Sequence, residues 1–566
     1  MIINRYTVPS VSNRDTMDTS VYLKAAEDCS VIAFDVFDTL IVRPFVRPDD
    51  LFDFIERVTG KEGFGKARRE AEKQARRQIR QEIDLDEIYS VLDSKYSDLK
   101  CIEIEKEIAL CRADSEALAL YDSFIREGKK IILVSDMYLP RNVLEDILER
   151  CGFSGYSKLY LSNELDLNKA SGSVYDRITE ENGPVLMIGD NERSDVRNAV
   201  SHGLKAERWI PLRERYYASH PREKRYCGKH GDASLLAGID MLRWQVLGDG
   251  EYWYDTAGRF GGPMVFSFAN FVKRCSEGYD RVLFVSRDGY VPMLAYREMG
   301  GEDSAYIYCS RMLSTVLGGN NIQDRDSALT IVNYLARKGF PGASEIKDFK
   351  DAGTFLSEHS EEAERMLKES FAEYSEYARK MAGEGRILMA DTTTMRYSSQ
   401  RFLSDAMGTD VEGCYFAVTS QDGPQHKEFI DRSKQHLTWS YVNLAEFFFS
   451  SAESPLDDVT AEGPVFSSDK SEHERYREEI QPSMERGQLD YVRFAGGILG
   501  EYVFDPGALD AWLDVLISYE KGNDHHRLSG MGWGVDKGHK DYRPLLFRTG
   551  QLPFAVKQTV AGIFKK

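Results

Sequence analysis

Short apolar runs that end in a polar residue recur along the first 200 residues of the chain. Residues 31–34, 131–134 and 185–188 are wholly apolar, and each run is too short for an ordinary helix. Runs of this kind predict strands of a parallel sheet that is covered on both faces. An amphipathic pattern between Pro140 and Gly152 predicts a helix after the second run. This alternation predicts an α/β fold with a parallel, Rossmann-like sheet.

Polar side chains follow these predicted strands at the edge where open parallel sheets bind ligands. Asp35 ends the first run, Ser135 ends the second, and Asp190 follows the third after one glycine. Lys169 lies in a polar segment between the second and third runs, and Asp195 follows Asp190 by five residues. A single aspartate after a strand most often caps a turn, so the information lies in the order of several such ends.

The order of aspartate, hydroxyl, lysine and acidic pair resembles the four signatures of the haloacid dehalogenase (HAD) superfamily. The resemblance implies that Asp35 is the nucleophile, and that an aspartyl-phosphate divides a difficult hydrolysis into two easier displacements. It also implies a Mg²⁺ site formed by Asp35, the backbone carbonyl of Phe37 and Asp190, with Asp195 as a ligand or an orienting residue.

The same resemblance assigns the remaining polar groups to the substrate. Ser135 would donate a hydrogen bond to a phosphoryl oxygen, and Lys169 would neutralise charge on the nucleophile and the transferring group. Thr39 and Asp136, which belong to the first and second signatures, are further candidates for substrate contacts.

One position departs from the family pattern. HAD phosphatases carry a second aspartate two residues after the nucleophile, whereas this chain has Phe37 there and Asp38 one residue later. Asp38 can supply proton transfer if the loop turns differently, Asp136 can contribute, or Asp38 can simply cap the following turn. Dehalogenases of the superfamily also lack the second aspartate, so a carbon–halogen substrate is one alternative. A catalytically retired domain that serves as a scaffold for glycosyltransferases is another.

An insertion of helical character separates the first two motifs, from about residue 48 to about residue 118. Within it, alanines recur every fourth residue from Ala67 to Ala75 and mark one small-residue face of a helix. An insertion at this point matches the helical cap of one HAD class, a lid that excludes water from the substrate. Arg68 and Arg76 each follow an alanine of that face and are candidates for binding an anionic substrate. An ordinary solvated helix with i,i+4 charge pairs has the same pattern.

The chain is too long for one ordinary core, and its pattern predicts two domains. The first, residues 20–215, has a core at about 25–45 and 119–212 with the helical cap between them. A charged, aperiodic stretch predicts a linker at 216–235. Residues 236–566 form the second domain, in which alternating strands and helices predict another parallel sheet. Its predicted strands are 281–285, 306–309, 386–390 and 414–418.

Two polar segments follow strands of the second domain. The first consists of Ser286, Arg287, Asp288 and Gly289, and the second of Asp391, Thr392, Thr393 and Thr394. The layout resembles a type I phosphoribosyltransferase, with a pyrophosphate loop and a phosphoribosyl loop, and implies binding of phosphoribosyl pyrophosphate. The chain departs from that family because the usual paired acids are reduced to Asp391 and the loop glycines are replaced. The alternative is that both segments are helix caps in a domain of another function.

Taken as a whole, the chain resembles the long HAD proteins of bacterial surface-polysaccharide gene clusters. The shared blocks are residues 34–40, 135–140 and 286–289. Some relatives pair a phosphoribosyl-transferring domain with a HAD phosphatase to build ribofuranose into a glycan. The resemblance implies a phosphatase that acts on a sugar phosphate or a phosphorylated glycan, with glycosyltransferases of the same pathway as partners.

Composition narrows the class of protein. The 566 residues carry a net charge of −19 without a long basic run, which argues against a nucleic-acid partner. The eight cysteines include no CxxC pair, which fits a reducing compartment without structural zinc. No apolar stretch reaches the roughly 20 residues of a membrane span, and the first residues form no signal-like segment. The sequence therefore predicts a cytoplasmic protein without a transmembrane segment.

Overall fold

The chain divides into two compact units, Met1–Gly250 and Glu251–Lys566, and each contains its own parallel sheet. The predicted α/β class is confirmed. None of the helices in the described stretches combines the length and the apolar character that crossing a membrane requires. The structure, a computed structural model, describes residues 17–80, 82–226, 231–247, 250–318, 325–394, 396–432, 439–468, 470–517, 528, 532–534 and 542–544.

Strands and helices alternate in the first unit, in the order that the apolar pattern predicts. Its strands are β1 (Val31–Asp35), β2 (Ile41–Val42), β3 (Arg112–Ala113), β4 (Lys130–Ser135), β5 (Lys158–Leu161), β6 (Val185–Gly189) and β7 (Lys205–Arg208). Its helices are α1 (Ser20–Ala25), α2 (Asp50–Thr59), α3 (Phe64–Gln78), α4 (Leu85–Val91), α5 (Leu99–Leu110), α6 (Ser115–Arg126), α7 (Arg141–Arg150), α8 (Ser162–Leu165), α9 (Ser173–Glu181), α10 (Asn198–Ser201), α11 (Leu212–Ser219), α12 (Glu223–Tyr226) and α13 (Gly231–Leu247).

Five strands of the first unit form a parallel sheet in the order β5-β4-β1-β6-β7. Strand β1 is buried along its whole length, as expected for an apolar strand that is covered on both faces. The chain runs outward from β1 through β4 to β5 and then returns to place β6 on the other side of β1. Phe34 pairs with Ile188. Asp35 follows Phe34 by one residue and Asp190 follows Ile188 by two, so both lie at the same edge of neighbouring strands. Open α/β sheets bind ligands at such a reversal point.

The predicted helical insertion lies between β2 and β3, two short strands that pair antiparallel at its base. Arg68 of α3 is wholly buried there, and its guanidinium donates two hydrogen bonds to Glu103 of α5 (2.9 and 2.8 Å). This arrangement replaces the predicted substrate contact of Arg68 with a structural ion pair, because a buried carboxylate already neutralises its charge. Arg76 binds Glu72 one turn earlier on α3, as the charge-paired helix alternative predicts.

The boundary between the units lies later in the chain than predicted. The stretch predicted as a linker, 216–235, contains the end of α11, all of α12 and the start of α13. Helix α13 belongs to the first unit: Val46 N donates to Ser234 Oγ (2.9 Å), and a side chain at Gly238 would collide with the Pro44 backbone. The sequence pattern hides this because α11 and α12, which precede α13, are short and rich in charged residues.

The second unit also alternates strands and helices. Its strands are β8 (Arg281–Val285), β9 (Ser304–Ile307), β10 (Ile387–Thr394), β11 (Glu412–Val418), β12 (His426–Asp431), β13 (Leu456–Thr460), β14 (Gly463–Phe466), β15 (Gly532–Gly534) and β16 (Tyr542–Pro544). Its helices are α14 (Tyr252–Thr256), α15 (Gly262–Cys275), α16 (Tyr290–Glu298), α17 (Arg311–Leu317), α18 (Arg325–Arg337), α19 (Phe349–Glu358), α20 (Ser360–Ala382), α21 (Ser398–Met407), α22 (Trp439–Phe449), α23 (Glu472–Leu499) and α24 (Pro506–Ile517).

The predicted second parallel sheet has the order β12-β11-β10-β8-β9, and its reversal point lies between β8 and β10. Strand β10 runs four residues past its predicted end, because Thr393 and Thr394 pair with Ala417 and Val418 of β11. The polar segment that begins at Asp391 therefore continues a strand instead of forming a loop at a helix N-terminus. The predicted strand 306–309 is also displaced, since β9 ends at Ile307.

Candidate functional sites

Asp35 lies at the carboxyl end of β1 and is buried. Thr39 Oγ1 donates a hydrogen bond to Asp35 Oδ2 (2.9 Å), and Lys169 Nζ binds the other carboxylate oxygen. Lys169 Nζ also lies 2.9 Å from Asp195 Oδ1, so one ammonium group joins two carboxylates. Thr39, which the sequence assigned to the substrate, orients the Asp35 carboxylate in this structure.

Asp35, Asp190 and Asp195 form a compact carboxylate cluster, in which one oxygen of each residue lies within 4.8 Å of the others. Gly189 is required beside it, because a Cβ at that position would lie 2.5 Å from Asp195 Oδ2. Asn191 N donates to the same oxygen (3.0 Å) and fixes the orientation of the carboxylate. Carboxylate oxygens at this spacing suit a hard divalent cation that keeps several of its own waters. The Phe37 carbonyl stays a predicted ligand.

The loop that carries Lys169 is held from several sides. Its Lys169 N–H donates to the Asp136 carboxylate (3.0 Å to Oδ2), and Asn198 Nδ2 donates to the Lys169 carbonyl (2.9 Å). Asn168 Nδ2 donates to Glu82 Oε1 (2.9 Å), a residue of the helical insertion. Asp136 and Asn198 therefore position the lysine, whereas the sequence assigned Asp136 to the substrate and gave no sign of Asn198.

Ser135 ends β4, the strand next to β1. Val134 pairs with Asp35, so Ser135 lies one residue further along the same edge of the sheet. Its side chain is buried, and within the described stretches its hydroxyl makes no hydrogen bond to another protein group. This hydroxyl is therefore free to donate to a ligand oxygen, and its contact with a phosphoryl oxygen stays a prediction.

Burial and neighbouring charges change the protonation of the carboxylate cluster. The pKa of Asp35 is raised to about 8, chiefly through burial; the charge of Lys169 opposes this rise, and those of Asp195 and Asp190 add to it. The pKa of Asp190 rises to about 6, first through burial and then through the charges of Asp38 and Asp195. Burial alone would lower the pKa of Lys169, but the surrounding carboxylates raise it well above its usual range. The site therefore favours an added positive charge, which a proton or a divalent cation can supply.

Asp38 adopts a left-handed backbone conformation (φ 59°) in the turn after β1. Its N–H donates to Ile41 O (2.8 Å), but within the described stretches its carboxylate accepts no hydrogen bond, so the capping interpretation has no support. The Asp38 carboxylate lies 4.0 Å from Arg213 Nη1. Among the neighbouring charges, that of Asp38 has the largest effect on the pKa of Asp190 and raises it. Asp38 thus lies near the carboxylate cluster.

Phe37 occupies the position where the sequence pattern led us to expect an aspartate. The Arg43 guanidinium lies 4.1 Å from the centre of the Phe37 ring, and Arg43 Nε donates to Glu107 Oε2 (2.8 Å) of the helical insertion. The phenyl ring therefore has a packing role between the turn and the insertion, and it offers no group that can transfer a proton.

A second group of acidic and hydroxyl side chains lies at the reversal point of the second sheet. Asp288 follows β8, and Asp391 lies in the neighbouring strand β10. Thr392 Oγ1 donates to Asp288 Oδ2 (3.2 Å), so the two predicted segments face each other at one edge. Gly289 is required by the turn, because a Cβ there would lie 2.6 Å from Val285 O. Burial, followed by the charge of Asp288, raises the pKa of Asp391 to about 7.

The other side chains of the two predicted segments have protein partners in this structure. Carboxylates and carbonyls surround them, instead of the free N–H groups that would bind an anion directly. Because these oxygens repel an anionic ligand, such a ligand would bind here together with a cation. The pairs are Thr393 with Glu446, Ser450 with Asp288, Thr394 with the Tyr397 N–H, Ser286 with the Cys309 N–H, and Arg287 with the Glu453 carbonyl.

No protein-family model matches the chain, and a search of curated proteins finds no match. The geometry and chemistry of the two sites are therefore the basis for assigning a function.

Proposed function

We propose that the first unit is a Mg²⁺-dependent phosphohydrolase of the HAD type, with a helical cap, that acts through an aspartyl-phosphate. The observation that carries the proposal is the cluster of Asp35, Asp190 and Asp195, in which the buried Asp35 and Asp195 share the ammonium group of Lys169. Phosphoryl transfer depends mainly on positioning and on neutralisation of charge. This cluster offers a nucleophile, a metal site and a fixed cation at one edge of the sheet.

In the first step, a carboxylate oxygen of Asp35 attacks phosphorus, and the bond from phosphorus to the leaving alcohol oxygen breaks. The hydrogen bond from Thr39 and the ion pair with Lys169 hold the carboxylate in one orientation. Lys169 and Ser135 stabilise negative charge on the transferring group, which favours the transition state over the bound substrate.

Mg²⁺ would be held by Asp35, Asp190 and Asp195, and when bound it would neutralise the phosphoryl oxygens. Asp38 donates a proton to the leaving alcohol oxygen in the first step. In the second step Asp38 takes a proton from the attacking water, whose oxygen bonds to phosphorus. The bond from phosphorus to the Asp35 oxygen breaks, so phosphate leaves and the carboxylate of Asp35 is restored.

The substrate class that we propose is a sugar phosphate or a phosphorylated glycan of surface-polysaccharide synthesis. Its support is the sequence likeness at residues 34–40 and 135–140, and glycosyltransferases of the same pathway are the partners that this setting implies. The two alternatives make different predictions. A dehalogenase releases halide without Mg²⁺, whereas a retired scaffold gains no thermal stability from Mg²⁺ with beryllium fluoride.

Mg²⁺ binding should strengthen as the pH rises. In the metal-free protein, the pKa values of Asp35 (about 8) and Asp190 (about 6) keep protons on carboxylates that the metal needs in ionised form. We expect the apparent affinity to rise about tenfold per pH unit wherever one proton is displaced. Calorimetric titration of Mg²⁺ into the metal-free protein between about pH 6 and pH 8 measures this affinity. Phosphate release from ribose 5-phosphate is followed in parallel.

EDTA should abolish the phosphate release, and added Mg²⁺ should restore it. Affinity for Mg²⁺ that does not change with pH, or phosphate release that persists in EDTA, would contradict the proposed role of the cluster.

For the second unit, one specific observation supports a second function. The segments that contain Asp288 and Asp391 face each other at the reversal point of their sheet. We propose that this edge binds phosphoribosyl pyrophosphate in the manner of a type I phosphoribosyltransferase, with Asp391 holding ribose hydroxyls directly or through Mg²⁺. Because carboxylates surround the site, the diphosphate should bind only together with a divalent cation.

Asp391→Ala should weaken the binding of phosphoribosyl pyrophosphate at least about tenfold when Mg²⁺ is present, because it removes a charge-assisted contact. Calorimetry with the full-length protein measures this, and Asp410→Ala, at an exposed acidic residue before β11, is the control. Binding that is absent in the parent protein, or equal in parent and Asp391→Ala, would remove the second function and leave the first one intact.

A further inference from the structure

A cleft opens on the first unit between the segment after β2 and helix α11. Its volume is about 820 Å³, which lies within the range of small-molecule sites. The residues that line it are Val46, Arg47, Pro48, Arg213, Glu214, Tyr217, Ala218 and Lys224.

Arg213 connects this cleft with the candidate active site. Its Nη1 donates to the Val46 carbonyl (3.1 Å) on one side and lies 4.0 Å from Asp38 Oδ2 on the other. Arg213 also acts electrostatically on Asp190, whose pKa its charge lowers. The cleft therefore adjoins Asp38, the residue that the proposed reaction uses for proton transfer, through the lining residue Arg213.

The charge of the cleft is opposite to that of the protein as a whole. Three of its lining residues are cationic and one is acidic, a balance of 3 − 1 = +2, whereas the chain carries −19. Glu214, the acidic residue, binds Arg208, whereas Arg47 and Arg213 share their charges with Asp50 (2.7 Å) and Asp38 (4.0 Å). A cationic cleft in an acidic protein attracts anionic ligands and repels cationic ones.

We propose that this cleft binds a second anionic group of the substrate; this inference rests on the proposed phosphohydrolase. The substrate is then a phosphomonoester with a phosphate or carboxylate at its far end. Arg47, Arg213 and Lys224 supply the charge. The apolar side chains of Val46, Pro48 and Tyr217 contact the body of the molecule between the two anionic groups.

Lys224 is the best residue for a test, because Arg213 also lies against Asp38 and its replacement would disturb the reaction itself. The two probes are fructose 1-phosphate and fructose 1,6-bisphosphate, which differ by the second phosphate. The parent protein should prefer the bisphosphate about tenfold or more in kcat/KM, since one charge-assisted contact contributes roughly a factor of ten. Lys224→Gln and Arg47→Gln should each reduce this preference several-fold through KM, whereas Arg126→Gln, on the exposed face of α6, should leave it unchanged.

A comparison of 3-phosphoglycerate with glycerol 3-phosphate shows whether a carboxylate serves as well as a phosphate. Calorimetric binding of fructose 1,6-bisphosphate to Asp35→Asn protein, with and without Lys224→Gln, gives a readout that does not depend on turnover. Equal kcat/KM for the two fructose phosphates, or a preference that survives both cleft substitutions, would overturn the inference while leaving the phosphohydrolase standing. Absence of Asp35-dependent turnover of p-nitrophenyl phosphate would instead show that the phosphohydrolase itself fails, and the inference with it.

Discussion

Asp35→Asn protein should hydrolyse ribose 5-phosphate at least about 10⁴-fold more slowly than the parent, because the substitution removes the attacking carboxylate. An asparagine oxygen can still accept the hydrogen bond from Lys169, so the fold should be retained. In metal-free protein above about pH 7 the variant should be no less stable than the parent, since the buried Asp35 carboxyl holds its proton up to about pH 8 and costs stability once ionised. Single-turnover phosphate release and thermal unfolding measure the two effects.

The sign of the stability effect follows from the raised pKa of Asp35. The folded protein holds a proton that the unfolded chain has already lost, so stability falls as the pH rises from about 4 to about 8. Asp35→Asn should flatten this dependence. Asp28→Asn, at an exposed residue paired with Lys205, is the matched control and should change neither turnover nor stability. Turnover in Asp35→Asn close to the parent value would exclude Asp35 as the nucleophile.

Lys169→Met should have the largest effect on stability, a loss of about 3–5 kcal/mol in the free energy of unfolding without metal. The methionine fills a similar volume but leaves the buried Asp195 carboxylate, and that of Asp35 once it ionises near pH 8, without their shared cation. Saturating Mg²⁺ should recover part of this loss, because a bound divalent cation replaces the missing positive charge. Urea unfolding with EDTA and with Mg²⁺, followed by fluorescence, measures both changes.

A surface lysine provides the comparison for this result. Lys158 pairs with Glu181 near the solvent, so Lys158→Met should cost about 1 kcal/mol or less and should not respond to Mg²⁺. If Lys169→Met and Lys158→Met have the same stability, Lys169 does not neutralise the carboxylate cluster in the way its ion pairs indicate.

The apolar runs predicted most of the first unit because local pattern decides where buried parallel strands form. Residues 31–34 and 185–188 lie in neighbouring strands β1 and β6, and this pairing places Asp35 and Asp190 together. The bonds that fix the Lys169 loop were beyond prediction, since Asn198 lies far from Lys169 in sequence and stands in no motif. Long-range hydrogen bonds of this kind leave no periodic signal in a single sequence.

Three predictions differ from the structure for physical reasons. Arg68, which became a substrate candidate because it follows an alanine of the small-residue face, is buried, and Glu103, 35 residues later, supplies its partner. The polar segment from Asp391 continues β10, because threonine suits an extended strand and β11 is long enough to pair with it. The predicted linker contains the start of α13, whose apolar face packs within the first unit and so moves the boundary to Gly250.

The most direct test of the central claim is to ask which residue carries the phosphoryl group during turnover. Full-length protein would be mixed with Mg²⁺ and p-nitrophenyl phosphate, quenched in acid within one turnover, digested, and analysed by tandem mass spectrometry. The proposed mechanism predicts one phosphoryl group on the Asp35 carboxylate and none in Asp35→Asn protein. Turnover without a phosphorylated Asp35, or phosphorylation at a different residue, would contradict it.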